Sequence, residues 1–315
     1  MPSQFGRALS LKVGTDAGDG LDLSQLRVTF EVRNATINTP KYALIRVYNL
    51  AAEKMARIIN EFTQVVLQAG YIDPGPSTIF EGQIVMTRRG RYDTDTFIEI
   101  TAQDADQAHN YGVISTTLVA GWTWDDVYNA LLGALGAYGV TGGNKPSFST
   151  EKGLRGKQLD GMVSAQLTML ANNQNCDWYI EDNKLTFLEK GATLPGEVPM
   201  LNSGNGLLSV PDQTVDGVII SCLLRPQIRA GMMIKVDNKQ LLDGSDAQVK
   251  VRQDAFRSNE YVYVPDVSAD GSYKAACVTH VGDTRGDDWV TEIICVNLAS
   301  PSLSAVTTEA VPDAR

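Results

Sequence analysis

Apolar and polar residues alternate with a period of two through much of the first hundred positions. Val28, Phe30 and Val32 fall on one side of residues 27–33, and Arg27, Thr29, Glu31 and Arg33 on the other. That is the pattern of a half-buried strand, because successive side chains in a strand point to opposite faces. Asn34 to Pro40 reads as a polar turn, and Tyr42 to Tyr48 as the next strand, with Ala43, Ile45 and Val47 on its apolar face. Further strands are predicted at 64–71, 78–87 and 95–103, with Asp73-Pro74-Gly75-Pro76 as a firm break between two of them. One helix interrupts the series: from Ala51 to Phe62 the apolar residues Met55, Ile58, Ile59 and Phe62 recur at helical spacing. Strands so regularly spaced predict a barrel or sandwich.

The period changes after residue 112. Thr123-Trp124-Asp125-Asp126 fits a capping box, and Val127, Leu131 and Leu135 continue it as a helical stripe. A loop rich in Gly and Ser follows, from Gly139 to Lys157. Leu159, Val163, Leu167 and Leu170 then predict a second helix. Cys176 to Ile180 and Leu185 to Leu188 form a hairpin about Asp182-Asn183, a pair that tolerates positive φ. The last third returns to strands at Val218 to Leu224, Met232 to Val236, Tyr273 to Val281 and Trp289 to Val296. The last of these has apolar groups on both faces, which fits a strand covered on both sides, by a neighbouring subunit for example. The pattern divides the chain into a β unit at 1–112, a small α+β unit at 113–195, a second β unit at 196–298, and a tail at 299–315 that orders only on contact.

Length and composition agree with this division. The chain has 315 residues, 43% hydrophobic and 20% charged, enough for two or three compact cores. The formal net charge is −10, of which residues 1–112, 113–195 and 196–315 hold 2, 2 and 6 of the excess negative charges. Such a surface repels phosphates, which argues against sequence-specific nucleic-acid binding and suits a channel wall to which DNA does not stick. No apolar run approaches the length of a membrane span, and Met1 to Leu11 has no signal-peptide core, so folding in a cytosol is expected. Cys176, Cys222, Cys277 and Cys295 are scattered with no CxxC pair, the usage of buried free thiols.

Candidate chemistry is sparse. Gly204-Asn205-Gly206 lacks the third glycine and the flanking strand and helix of a dinucleotide loop, and reads as a turn. Asp104, Asp106 and His109 offer metal-ligand types, as do His280, Asp283, Asp287 and Asp288. Two histidines in the whole chain make zinc a poor reading, and the second group reads as a polar hairpin loop. Asp16 to Asp22 resembles a calcium loop in composition only. No nucleophile elbow is present and no carboxylate pair stands out, so no catalytic, cofactor-binding or metal residue is assigned and an enzyme is not expected.

Three stretches resemble the baseplate hub family of tailed phages, particularly those with contractile tails, which is related to the hub part of type VI secretion spike proteins. The first is Leu26 to Val32 followed by Ala43-Leu44-Ile45-Arg46-Val47-Tyr48-Asn49-Leu50, a strand pair entering a short helix, with Ala51 where the family has Ser. The second is Ile79-Phe80-Glu81-Gly82-Gln83-Ile84, then Ile98 to Asp104. The third runs from Asn205 to Pro211 through Gly217-Val218, Leu223 to Pro226 and Gly231 to Thr279 to Gly286 with Trp289. The order of these pieces over residues 20–298 carries the resemblance, and residues 237–271 match less well.

The resemblance implies a mainly β fold in which two barrel-like tube domains, 1–112 and 196–298, form a pseudo-hexameric ring as a homotrimer. The α+β unit would lie at the periphery. It implies a structural virion protein, assembled in the host cytoplasm, that joins a six-fold tail tube to a three-fold spike around a DNA-conducting channel. Copies of itself, a tail tube or tape-measure protein, a central spike protein and baseplate wedge proteins are the implied partners, with the spike a separate chain. The alternatives are a tail-associated cell-wall hydrolase and a carbohydrate-binding tail protein, for which Trp122 and Trp124 are the candidate aromatics.

Overall fold

The computed structural model describes residues 4–15, 18–208, 212–214, 217–237 and 271–297. The tail at 299–315 and nearly all of the poorly matching stretch at 237–271 lie outside them.

The first third begins with β1 (Arg7–Gly14) and β2 (Gly20–Asp22), followed by β3 (Val28–Ala35) and β4 (Tyr42–Tyr48). Helix α1 (Ala52–Asn60) follows, buries Ile58, and has no side-chain cap at Ala51. Then come β5 (Gln64–Tyr71), β6 (Gly75–Tyr92) and β7 (Asp95–Gln103). The eighteen-residue β6 bridges two partners: residues 75–83 pair with β5 and residues 83–92 pair with β7, with a bulge between Ile84 and Met86 where it changes partner. The alternation in β3 and β4 does what its period predicts. Val28, Phe30, Val32, Ala43, Ile45 and Val47 are all buried, with Ile98 and Ile100 of β7 beside them.

The middle unit holds α2 (Asp106–Tyr111), β8 (Val113–Leu118), α3 (Trp124–Gly136), β9 (Thr141–Gly142), β10 (Lys157–Met162), α4 (Val163–Asn173), β11 (Cys176–Glu181) and β12 (Lys184–Glu189). The capping box at Thr123 is formed in both directions. The helix expected from Leu159 starts only at Val163: Leu159 belongs to β10, which pairs antiparallel with β8. Leu159 is buried on the apolar face of this ribbon, in the same core as Val163, Leu167 and Leu170. A strand running straight into a helix can keep one apolar face across both, so the helical spacing was read four residues too early. Asp182 and Asn183 form the β11–β12 turn with φ of 52° and 56°.

The last third contributes β13 (Met200–Leu201), β14 (Asp212–Thr214), β15 (Gly217–Leu223), β16 (Met233–Val236), β17 (Gly271–Asp283) and β18 (Trp289–Asn297). It does not form a separate sheet. β17 pairs antiparallel with β3 over seven positions, which fuses the outer thirds into one thirteen-stranded sheet of order β14-β15-β18-β17-β3-β4-β7-β6-β5-β1-β2, with β13 and β16 attached at β17. Two barrel-like units were expected. Among the described residues no barrel closes, and the path stays open at β14 and at β2. β18 is an interior strand, hydrogen-bonded to β15 and β17; Trp289, Ile293 and Cys295 of one face lie in the cores, while Val290 and Ile294 of the other are partly exposed.

Candidate functional site: a shared sheet and a buried ionic junction

The first and last thirds are joined across one row of side chains. Phe30, Gly282 and Trp289 are register partners on three adjacent strands. The rings of Phe30 and Trp289 meet edge to face at 5.5 Å over the glycine. A Cβ on Gly282 would lie 2.4 Å from the Phe30 ring and 2.8 Å from that of Trp289, so only glycine lets both aromatics cross β17. The Trp289 indole N–H donates to the carbonyl of Gly70 at 3.2 Å, and Arg7 stacks 5.5 Å from its ring. Trp289 and Leu224, from the last third, are thereby part of the first core.

Opposite the cores the sheet shows a second face, running from β15 to β6. Register places Val290, Val281, Glu31, Leu44, Thr101 and Met86 in one row, and Glu292, Thr279, Arg33, Tyr42, Gln103 and Gln83 in the next. The next row out brings Arg46, Glu99 and Arg88 together. The Glu99 carboxylate is held from both sides, by Arg46 at 2.6 Å and Arg88 at 3.1 Å. Arg27 pairs with Asp283 at 2.7 Å and lies 4.8 Å from the Tyr48 ring. Burial raises the Asp283 pKa, but the bonds from Arg27 and from the Arg285 amide outweigh it and hold it below the usual range. Arg27, Arg33, Arg46 and Arg88 thus stand against Glu31, Glu99, Asp283 and Glu292, so the charges named on this face are balanced.

The face ends at an open edge. From Val85 to Tyr92, β6 has β7 on one side and, among the described residues, no strand on the other. Val85 (49% exposed), Met86 (54%) and Tyr92 (77%) lie along it, with Arg88, Arg89 and Arg91 interspersed. Charged side chains on an edge discourage indiscriminate pairing.

Behind the sheet, all three parts of the chain meet in a buried ionic cluster. Lys41, just before β4, reaches Asp182 at 3.0 Å and Glu181 at 3.8 Å. Arg229, from the loop before β16, reaches Asp182 at 2.6 Å. Asp104, just after β7, accepts from the backbone amides of Asp182 and Asn183, holding the β11–β12 turn against the first unit. The Tyr179 hydroxyl donates to the carbonyl of Ala230 at 3.4 Å. Asn34, Lys41, Glu181, Arg229 and His280 line a void of about 10 Å³. Burial pushes the Asp104 carboxyl up to about 7 against the pull of Lys41. It also raises Glu181. Asp182 is lowered, because Lys41 and Arg229 outweigh its burial.

These features sit in a chain whose relatives are phage tail proteins. A family model described as baseplate hub gp41 matches residues 11–240. The chain belongs to the baseplate hub gp41 family. No curated protein matches. The fold of this hub chain is similar to that of the 43 kDa tail protein of prophage MuSo2 from Shewanella oneidensis, with TM-score 0.60, 8% identity, and coverage of 94% of this chain and 98% of that one. It is also similar to a tail protein from Neisseria meningitidis MC58, with TM-score 0.58, 12% identity, and coverage of 94% and 98%. The E. coli c3393 protein, a component of the type VI secretion system, matches at TM-score 0.50 and 13% identity, over 91% of this chain and 76% of that one. The family is one of structural phage tail proteins.

The hub chain does not bring the candidate ligand groups together. Asp104 faces the β11–β12 turn, while Asp106 accepts from Asn110, and His109 lies against the carbonyl of Asn38 at 2.7 Å. His280 is buried on Thr291 at 2.9 Å, apart from Asp283 on the opposite face of β17. Asp22 is engaged by Ser24 and Asp19 by Arg57, so both described carboxylates of the calcium-like segment have protein partners. Gly204 and Asn205 lie in a short 3-10 turn. The Trp122 and Trp124 rings pack edge to face at 5.2 Å with the Lys157 ammonium 5.1 and 5.2 Å from them, and the Trp122 N–H donates to the carbonyl of Arg155. These rings are engaged within the chain, which weakens them as a sugar-stacking platform. Among the described residues no helix is long and apolar enough to cross a membrane.

Proposed function

We propose that this hub chain is a ring subunit, a homotrimer in which each copy supplies one section of a continuous β wall. One observation carries the reading: the first and last thirds share the strand run β14-β15-β18-β17-β3-β4-β7-β6, in which, among the described residues, β14 has no outer neighbour and β6 has none along Val85–Tyr92, beyond its pairing with β5. Two free stretches of edge suit head-to-tail closure, because pairing of the Val85–Tyr92 stretch of β6 with β14 of the next copy would cover both at once. Three copies of a wall built from two β units would match a three-fold spike on one side and a pseudo-six-fold tube on the other. The exposed face of the run is the candidate lining of a DNA channel. Its paired arginines and carboxylates give phosphates neither strong attraction nor strong repulsion. The implied neighbours are a tail tube or tape-measure protein, a central spike protein and wedge proteins, all in the virion baseplate.

A double variant, Val85→Lys with Met86→Lys, puts charge on the β6 edge where both side chains are half exposed. Sedimentation is expected to show trimers for the parent and monomers for the variant, with an unchanged circular dichroism spectrum and a melting temperature lowered toward that of the parent at high dilution. Identical distributions for the two proteins would remove the edge from the assembly.

A further inference from the structure

The ionic cluster behind the sheet brings three carboxyls, Asp104, Glu181 and Asp182, against two cations, Lys41 and Arg229. Each of the three parts of the chain supplies at least one member. The first unit gives Lys41 and Asp104, the middle unit Glu181 and Asp182, and the last third Arg229. Lys41, Asp104 and Glu181 are almost wholly buried, at 5%, 0% and 8% exposure. A buried group of this composition is one negative charge in excess when every carboxyl is ionised, and such a charge away from water is costly. One retained proton restores the balance.

The other groups facing the cluster do not supply that compensation. His280, from β17, is held neutral, because burial and the nearby Lys41 bring its pKa down to about 3. Asn34, from β3, is uncharged, and the Tyr179 hydroxyl, from β11, is pushed far above its usual range by burial, then by Glu181. Asp177 of β11 and Lys274 of β17 are a further titratable pair between the middle unit and the sheet, and they offset each other.

We propose that this cluster is a proton-dependent latch that fixes the β11–β12 turn, and with it the middle unit, to the shared sheet in mild acid and loosens its grip as the solution approaches neutrality. The carboxyl best placed to carry the proton is Asp104, the most deeply buried of the three: the two turn amides and Lys41 favour its ionised form, and its complete burial outweighs them. Its pKa of about 7 lies above the ordinary value of 3.8. A carboxyl whose pKa is raised in the closed state contributes fully below its open-state pKa and loses that contribution as pH rises through the closed value. The window therefore runs from about pH 4 to about pH 7, with the open fraction growing up to about tenfold per pH unit. The latch rests on the fold alone and is independent of ring formation.

Hydrogen exchange at the Asp182 and Asn183 amides, corrected for intrinsic rates, tests this on the full chain. Between about pH 5 and about pH 7 their protection is expected to fall by roughly ten- to a hundredfold, while the β3–β4 ladder changes little. In Asp104→Asn the same amides should lose most of this pH dependence, and Glu181→Gln supplies an independent neutral carboxamide if Asp104→Asn does not fold. Protection at the turn that is indifferent to pH in the parent chain overturns the proposal. So does a folded Asp104→Asn that keeps the full dependence.

Discussion

Trp289→Ala is expected to lower the unfolding free energy by about 3–5 kcal/mol, the range for deleting a buried large aromatic. The residue is 3% exposed, although it comes from the last third of the chain and packs in the core of the first. Its removal deletes the edge-to-face contact with Phe30, leaves the Gly70 carbonyl without its indole donor, and opens a cavity over Gly282 that no Cβ fills. The same row makes Gly282→Val damaging for the opposite reason, since it overfills the space that the two rings share. Urea denaturation followed by fluorescence and circular dichroism checks both. A loss under about 1 kcal/mol for Trp289→Ala would show that the outer thirds are not coupled through this row.

Lys41→Ala should be comparably damaging, at about 3–5 kcal/mol, because it strips the buried cation from Glu181 and Asp104 and leaves Arg229, already engaged by Asp182, as the one cation for three carboxyls. Lys41 also pulls down the Asp104 carboxyl, which burial alone would raise further. The deficit is therefore expected to be largest near and above neutral pH, where the unpaired carboxyls are ionised, and to shrink in mild acid as they take up protons. Melting curves for parent and variant between about pH 5 and about pH 8 measure this. A double variant, Lys41→Met with Glu181→Gln, removes charge from both sides and should regain part of the loss. An effect of Lys41→Ala that is small and flat with pH would mean that the cluster is well hydrated.

Much of this architecture was legible in the residues. β4, β5 and β7 lie where alternation put them, and the Asp182-Asn183 turn follows from residues that tolerate positive φ. What escaped notice depends on contacts distant in sequence. β1 carries Leu9, Leu11 and Val13 in alternation, a short signal that the glycine-rich segment after it obscures. β8 (Val113–Leu118) is half Ser and Thr, with its apolar residues gathered at the ends and not alternating, so its pairing with β10 has no local signature. The ionic cluster was invisible for a different reason. Lys41, Glu181 and Arg229 look like ordinary loop and strand-end charges until the β11–β12 turn is docked, and Asp104 was considered only as a possible ligand. The β17–β3 pairing joins residues about 250 positions apart, beyond the reach of any periodicity. Gly282 between Phe30 and Trp289 becomes meaningful only once that register is known.

Light scattering of the purified chain over a concentration series, with negative-stain images of the same sample, tests the ring reading most directly. The account predicts a trimer that images as a three-fold ring around a central hole. A strict monomer at high concentration, both alone and with a candidate spike protein, would contradict it.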